Sequence, residues 1–172
     1  VLFCVDGYEY KGKAFDRKAE VINIIETLPS IQKVIYLPYL NTEDTSLPVS
    51  DAILWHELMD KEPVSADEFE FEQVPFEHPL WILFSSGTTG LPKAIVHGHG
   101  GIILQHYVLG ALHYNLKPED RLFFFTTTGW MMWNFVISSM LYEACPILYD
   151  GNPTYPEPDA LWKLCDDAGA VL

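Results

Sequence analysis

The sequence predicts an α/β fold, a layered sheet with parallel strands flanked by helices. Three observations predict it. Short runs rich in β-branched and aromatic residues alternate with stretches whose apolar residues recur at helical spacing. Glycine and proline punctuate most junctions between them. Hydrophobic residues make up 49% of the 172, enough to build a core.

In order, Val1–Val5 reads as a strand ending in the turn pair Asp6-Gly7, and Ala14–Leu28 as a helix stopped by Pro29-Ser30. Lys33–Leu37 reads as a second strand, so residues 1–40 form a βαβ portion. Residues 41–79 form an acidic connector: between Glu43 and Glu77 the acids crowd together and Lys61 is the only Lys or Arg. One short amphipathic helix is expected in it at Asp51–Met59, around Trp55 and Leu58.

The third portion, 80–172, opens with the continuous apolar run Leu80–Phe84, the pattern of a strand buried on both faces. Ala94–His97 is its return strand and Gly98–Gly101 a turn. Ile102–Tyr114 reads as a helix stopped near Pro118, Arg121–Phe125 as a buried strand, and Met131–Tyr142 as a buried helix. Pro146–Tyr149 follows as a strand, Ala160–Ala168 as a helix closed by Gly169, and Ala170–Leu172 as the start of a further strand. A strand cut after two residues, and Val rather than Met at position 1, give the expectation of truncation at both ends.

Composition removes several function classes. The formal charge is −14, from 24 Asp and Glu against 10 Lys and Arg, and no basic stripe exists to neutralise a nucleic-acid backbone. The longest apolar stretch, Leu122–Tyr149, is interrupted by Asn134, Glu143 and Pro146, so no membrane span is expected. Cys4, Cys145 and Cys165 lie far apart without CxxC spacing, which favours reduced thiols in an intracellular compartment. GxSxG and HExxH motifs are absent, and the acidic neighbours Glu119-Asp120 and Asp166-Asp167 point apart rather than pairing for acid and base work. His97 and His99 alternate without nearby Cys, Asp or Glu, so no metal site is expected. They receive a turn-forming role, with His99 or His106 placed near a ligand pocket.

Chemistry concentrates in Ser85-Ser86-Gly87-Thr88-Thr89-Gly90-Leu91-Pro92-Lys93. Glycines let the backbone approach a phosphate, four hydroxyls donate to its oxygens, and Lys93 brings charge that the acidic chain otherwise lacks. The spacing is not that of a Walker loop, since two residues separate Gly87 from Gly90 and Ala94 follows Lys93. An ordinary Gly/Ser/Thr turn is the plain alternative. A second segment, Gly129-Trp130-Met131-Met132-Trp133-Asn134, joins an indole to flexible thioethers, which suits either a small apolar pocket or plain core.

The loop at 85–93 resembles the signature loop of the acyl-adenylate-forming (AMP-binding) superfamily. Within it, HPLWILFSSGTTGLPKAIVHGHGG at 78–101 and TTTGWMMWN at 126–134 are most similar to the acetoacetyl-CoA synthetases, with acetyl- and propionyl-CoA synthetases as nearest competitors. The resemblance implies part of an N-terminal AMP-binding domain, with the mobile C-terminal domain absent and the piece alone inactive. It implies ATP, Mg²⁺ and coenzyme A as reaction partners, acetoacetate as the acid, and the cytosol as the compartment. It places Ser85, Ser86, Gly87, Thr88, Thr89, Gly90 and Lys93 on the ATP phosphates, Lys93 in a catalytic role, and Trp130, Met131 and Met132 around the acyl group. A truncated chain serving only as a binding or interaction module is the rival from another class.

Overall fold

A computed structural model describes residues 1–86 and 90–171. The chain divides into two compact units, Val1–Glu70 and Phe71–Leu172.

In the first unit, β1 (Leu2–Val5) pairs in parallel with β4 (Val34–Leu37), which pairs in parallel with β5 (Ile53–Leu54). Helix α1 (Lys18–Thr27) makes the crossover that a parallel pair requires. Val34, Ile35, Leu54 and the fully enclosed Tyr36 are buried. The expected helix at Ala14–Leu28 is shorter, because β2 (Gly7–Tyr10) and β3 (Lys13–Asp16) form an antiparallel hairpin first. Lys11 and Gly12 at its tip have φ of 53° and 69°, the left-handed pair that matches the twist of hairpin strands. Tyr8 and Phe15, directly opposite, stack at 5.3 Å, and Arg17 lies 5.3 Å over the Tyr8 ring. The Asp16 carboxylate then accepts the Lys18 amide at 2.9 Å, and the helix begins there.

The connector segment contributes β5 before the short α2 (Trp55–Met59), so the expected helix at Asp51–Met59 loses its first turn to a strand. Asp6 closes this unit. Its carboxylate accepts amides of Tyr39, Leu40 and Asn41 at 2.7, 2.7 and 2.8 Å, while its carbonyl accepts that of Arg17 at 2.7 Å.

In the second unit, β6 (Pro79–Ser85) pairs antiparallel with β7 (Lys93–Gly98). The register runs from Trp81 opposite His97 to Ser85 opposite Lys93, and it shifts between Pro79 and Trp81, leaving Leu80 as the extra residue of a bulge. The expectation that Leu80–Phe84 is buried on both faces does not hold. Ile82 is 56% and Phe84 67% exposed. An apolar run records that a strand needs cover, and among the described residues that face has little.

α3 (His99–Val108) follows β7 directly and continues as a π turn at Leu109–His113, so the expected helix at Ile102–Tyr114 starts three residues early. Its first amides are met by the segment before β6: His99 N–H donates to the His78 carbonyl and Gly100 N–H to that of Phe76, both at 2.9 Å. A Cβ at Gly100 would fall 2.0 Å from the Phe76 ring, which explains the glycine there.

β8 (Arg121–Phe123) and β9 (Cys145–Ile147) are parallel neighbours, with α4 (Met131–Ile137) and a 3₁₀ turn at Ser138–Tyr142 between them. Both strands are shorter than the expected 121–125 and 146–149, and the expected single helix over 131–142 tightens in its last turn. Leu116, Leu122, Phe135, Tyr142 and Ala144 form the buried cluster, with Met132 packed on it. α5 (Ala160–Ala168) ends at Gly169, φ 64°, where the Gly169 and Ala170 amides return to the carbonyls of Asp166 and Cys165. Ala170 and Val171 are not in a strand, although the Val171 amide donates to the Arg121 carbonyl at 2.9 Å; Leu172 lies outside the described residues.

Candidate functional site

The pairing of β6 with β7 sets the geometry. Side chains alternate along a strand and directly opposite residues share a face. One face of the ribbon therefore carries three rungs: Trp81 with His97, Leu83 with Ile95, and Ser85 with Lys93. Successive rungs lie about 7 Å apart along the strands. The face grades from a hydrogen-bonded aromatic pair through an aliphatic pair to a hydroxyl beside an ammonium.

This face opens into a cavity of about 260 Å³. Leu83, Ile95 and His97 supply its floor, and Ser85 and Ser86 the end where β6 gives way to the glycine-rich loop. Across from them stand Gly129, Trp130 and Met131, where the chain enters α4. A turn holds Trp130 there: its amide donates to the Thr127 carbonyl at 3.1 Å, and its carbonyl accepts the Trp133 amide at 3.0 Å. The Trp130 side chain is 61% exposed, so the cavity is open on that side.

Two segments more than forty residues apart in sequence thus share one cleft, the hydroxyl-bearing start of the loop and the indole with its neighbouring thioether. Lys93 begins β7 opposite Ser85 and is exposed. Gly90 has φ 156°, a conformation few side chains adopt. Gly87, Thr88 and Thr89 lie outside the described residues. Met132 does not line the cleft; it points to the buried cluster around Phe135, one position out of phase with Met131 on α4. A Cβ at Gly129 would meet nothing within 4 Å, so the entry into α4 does not itself demand glycine.

His97 is the cleft residue that local pattern marks only as the end of a return strand with a turn-forming role. It lies within β7, and the Trp81 indole N–H donates to its Nδ1 at 3.0 Å. Behind Trp81, at 6.1 Å between ring centres, is His106 of α3, which meets Phe135 edge-on at 6.0 Å. His106 is 6% exposed; burial, and secondarily the neighbouring His97, lower its pKa, so it stays neutral at pH 7. The Tyr142 hydroxyl donates to its carbonyl. His99 turns instead toward the His78 carbonyl, 2.9 Å from its Nδ1. The signal that identifies His97 is its period-two offset from Lys93, which becomes readable once the ribbon's register is known.

No acidic side chain lines the cleft, and no group of three His, Cys, Asp or Glu suited to a metal occurs among the described residues. These residues do not fit a magnesium site of their own, since Mg²⁺ takes carboxylate and phosphate oxygens. What the cleft offers is hydroxyls and an apolar wall, with Lys93 in register opposite Ser85.

The family model for AMP-binding enzymes matches residues 11–170. The chain belongs to the AMP-binding enzyme family. Among relatives of this AMP-binding chain, the acetoacetyl-CoA synthetase of Gallus gallus is 38% identical over all of it, and the acetoacetyl-coenzyme A synthetase of Rhizobium meliloti 40% identical over 94%. The chain covers 26% and 24% of those two proteins, about a quarter of their length. The solved acetoacetyl-CoA synthetase of Streptomyces lividans superposes with a TM-score of 0.86 at 46% identity, over 98% of this chain and 25% of that one. This likeness bears out the α/β fold with parallel strands read from the sequence, and with it the family resemblance. No helix among the described residues is long and apolar enough to cross a membrane.

Proposed function

We propose that the complete polypeptide containing this AMP-binding segment is an AMP-forming acetoacetate–CoA ligase, and that the segment supplies its phosphate and acyl contacts. The observation that carries the reading is the single cleft joining Ser85 and Ser86 to Trp130 and Met131. The names of the relatives supply the acid.

In this reaction a carboxylate oxygen of acetoacetate attacks the α-phosphorus of ATP, and the bond to the β-phosphate oxygen breaks, releasing pyrophosphate. The thiol of coenzyme A, losing its proton, then attacks the acyl carbon and displaces AMP. Neither step uses a protein nucleophile, so the chain contributes position and charge. Ser85, Ser86, Gly90 and Lys93, with Gly87, Thr88 and Thr89, hold the ATP phosphates. Their amides, hydroxyls and ammonium stabilise the charge that builds as pyrophosphate departs. Lys93 is the one cation of the loop and acts on the leaving phosphates. Trp130 and Met131 line the acyl side with apolar surface, while Met132 acts on them from the core. Mg²⁺ would enter with the nucleotide as MgATP, held by phosphate oxygens.

The organisation follows: residues 1–40 and 41–79 are scaffold and connector, and 80–172 carries the contacts. A cytosolic setting is part of the same reading, supported by Cys4, Cys145 and Cys165 being free thiols.

Pyrophosphate release by the complete polypeptide tests it, with acetoacetate, acetate and propionate compared. Acetoacetate should give the highest kcat/KM, and Lys93→Ala should lower kcat/KM for ATP about 10- to 100-fold, the loss of one charge-assisted contact to phosphate. Preference for acetate or propionate would move the enzyme to another member of the family. Unchanged activity after replacing residues 85–90 with an unrelated linker would overturn the phosphate assignment.

A further inference from the structure

This inference rests on the ligase reading and concerns how the acid is told apart from others of its length. Beyond its carboxylate, acetoacetate carries one polar group, a ketone oxygen that accepts hydrogen bonds and donates none. Preferring it to butyrate requires an N–H or O–H donor facing the acyl end of the cleft; without one, desolvating the ketone favours the apolar acid.

The ribbon provides one such group away from the phosphate end. Ser85 and Ser86 sit beside the loop, and the Leu83–Ile95 rung separates them from His97. Two rung spacings place His97 about 13 Å along the strands from the Ser85–Lys93 rung, leaving room for phosphate and a short acyl chain between.

The proton of His97 is fixed by its neighbour. An indole nitrogen donates and never accepts, so Trp81 Nε1–H makes Nδ1 of His97 an acceptor. The neutral imidazole then carries its proton on Nε2, the nitrogen left for a ligand. Trp81 in turn rests against His106, and His106 against Phe135 of the buried cluster, so a row of rings running to the core holds the imidazole in place.

We infer that Nε2–H of His97 donates to the 3-oxo oxygen of the acid, which makes His97 a specificity-determining residue and Trp81 the residue that positions it.

The test compares kcat/KM for acetoacetate and butyrate in the complete polypeptide. His97→Leu should lower the acetoacetate-to-butyrate preference about 10- to 100-fold, the range for a lost donor to a desolvated carbonyl, through kcat/KM for acetoacetate alone. His97→Gln, which keeps an N–H near the Nε2 position, should recover most of that preference. Trp81→Phe keeps the ring and removes the indole N–H, and should lower the preference about 3- to 10-fold; it carries the test should His97→Leu fail to fold. Equal losses for both acids in His97→Leu and Trp81→Phe would assign the pair a structural role and overturn the inference while leaving the ligase intact. Wild-type enzyme that releases pyrophosphate with neither acid would overturn the ligase reading and the inference together.

Discussion

At the scale of single residues, Asp6 shows how a carboxylate can be structural. It is 2% exposed and accepts three backbone amides from Tyr39, Leu40 and Asn41. Burial pushes its pKa up, and those amide donors more than offset the push, holding it below the usual carboxylate range. Because the folded-state value is depressed, the stabilisation is present above the unfolded value near pH 4 and fades as pH falls through the folded one. Asp6→Asn should cost about 2–3 kcal/mol at neutral pH, since a neutral amide replaces a charge that three donors share. Urea unfolding of both forms should show the gap narrowing below about pH 4. Asp6 was legible only as a turn residue beside Gly7. Its partners lie 33 to 35 positions away, and local patterning carries no information over that range.

At the scale of elements, the strongest local periodicities gave the right elements in the right order, with ends displaced by a few residues. α5 ends at Gly169 as its glycine implied, because a left-handed residue is a backbone requirement written in one letter. The hairpin of β2 and β3 was missed because its left-handed pair is Lys11-Gly12 rather than an Asn-Gly or Asp-Gly that announces itself. The junction of β7 with α3 yields a paired prediction. Gly100→Ala drives a Cβ into the Phe76 ring and should destabilise by about 1–3 kcal/mol. Gly101→Ala, one residue on in the same helix, meets nothing within 4 Å and should be neutral or stabilising by up to about 1 kcal/mol. Thermal unfolding of the two variants separates close packing from glycine's general cost in a helix.

At the scale of the whole molecule, the segments 85–93 and 130–133 stand out in the sequence because their chemistry is contiguous: hydroxyls, glycines and a lysine in nine residues, an indole and thioethers in four. That Ser85 and Trp130 share a cleft, that Met132 turns to the core, and that His97 faces the cavity were not legible, since each depends on strand register or helix phase. The exposed Ile82 and Val96 on the other face of the ribbon belong to this scale as well. The chain spans about a quarter of its relatives' length, and a ribbon face this apolar needs cover. The 172 residues produced alone should therefore bind a hydrophobic dye such as ANS several-fold more strongly than the complete polypeptide at equal concentration. Equal fluorescence would show that the face is covered within the chain.

The bulge at Leu80 has a consequence for how this segment tolerates insertions and deletions. It uncouples the strand from the segment that leads into it: upstream, the carbonyls of Phe76 and His78 are committed to the first amides of α3, and downstream, alternate side chains are committed to the cleft. A residue gained or lost at the kink can be taken up there. The same change between Trp81 and Ser85 exchanges the two sides of the strand, turning Ile82 inward and sending Trp81 out, so length variation among related chains should gather on the upstream side of that joint.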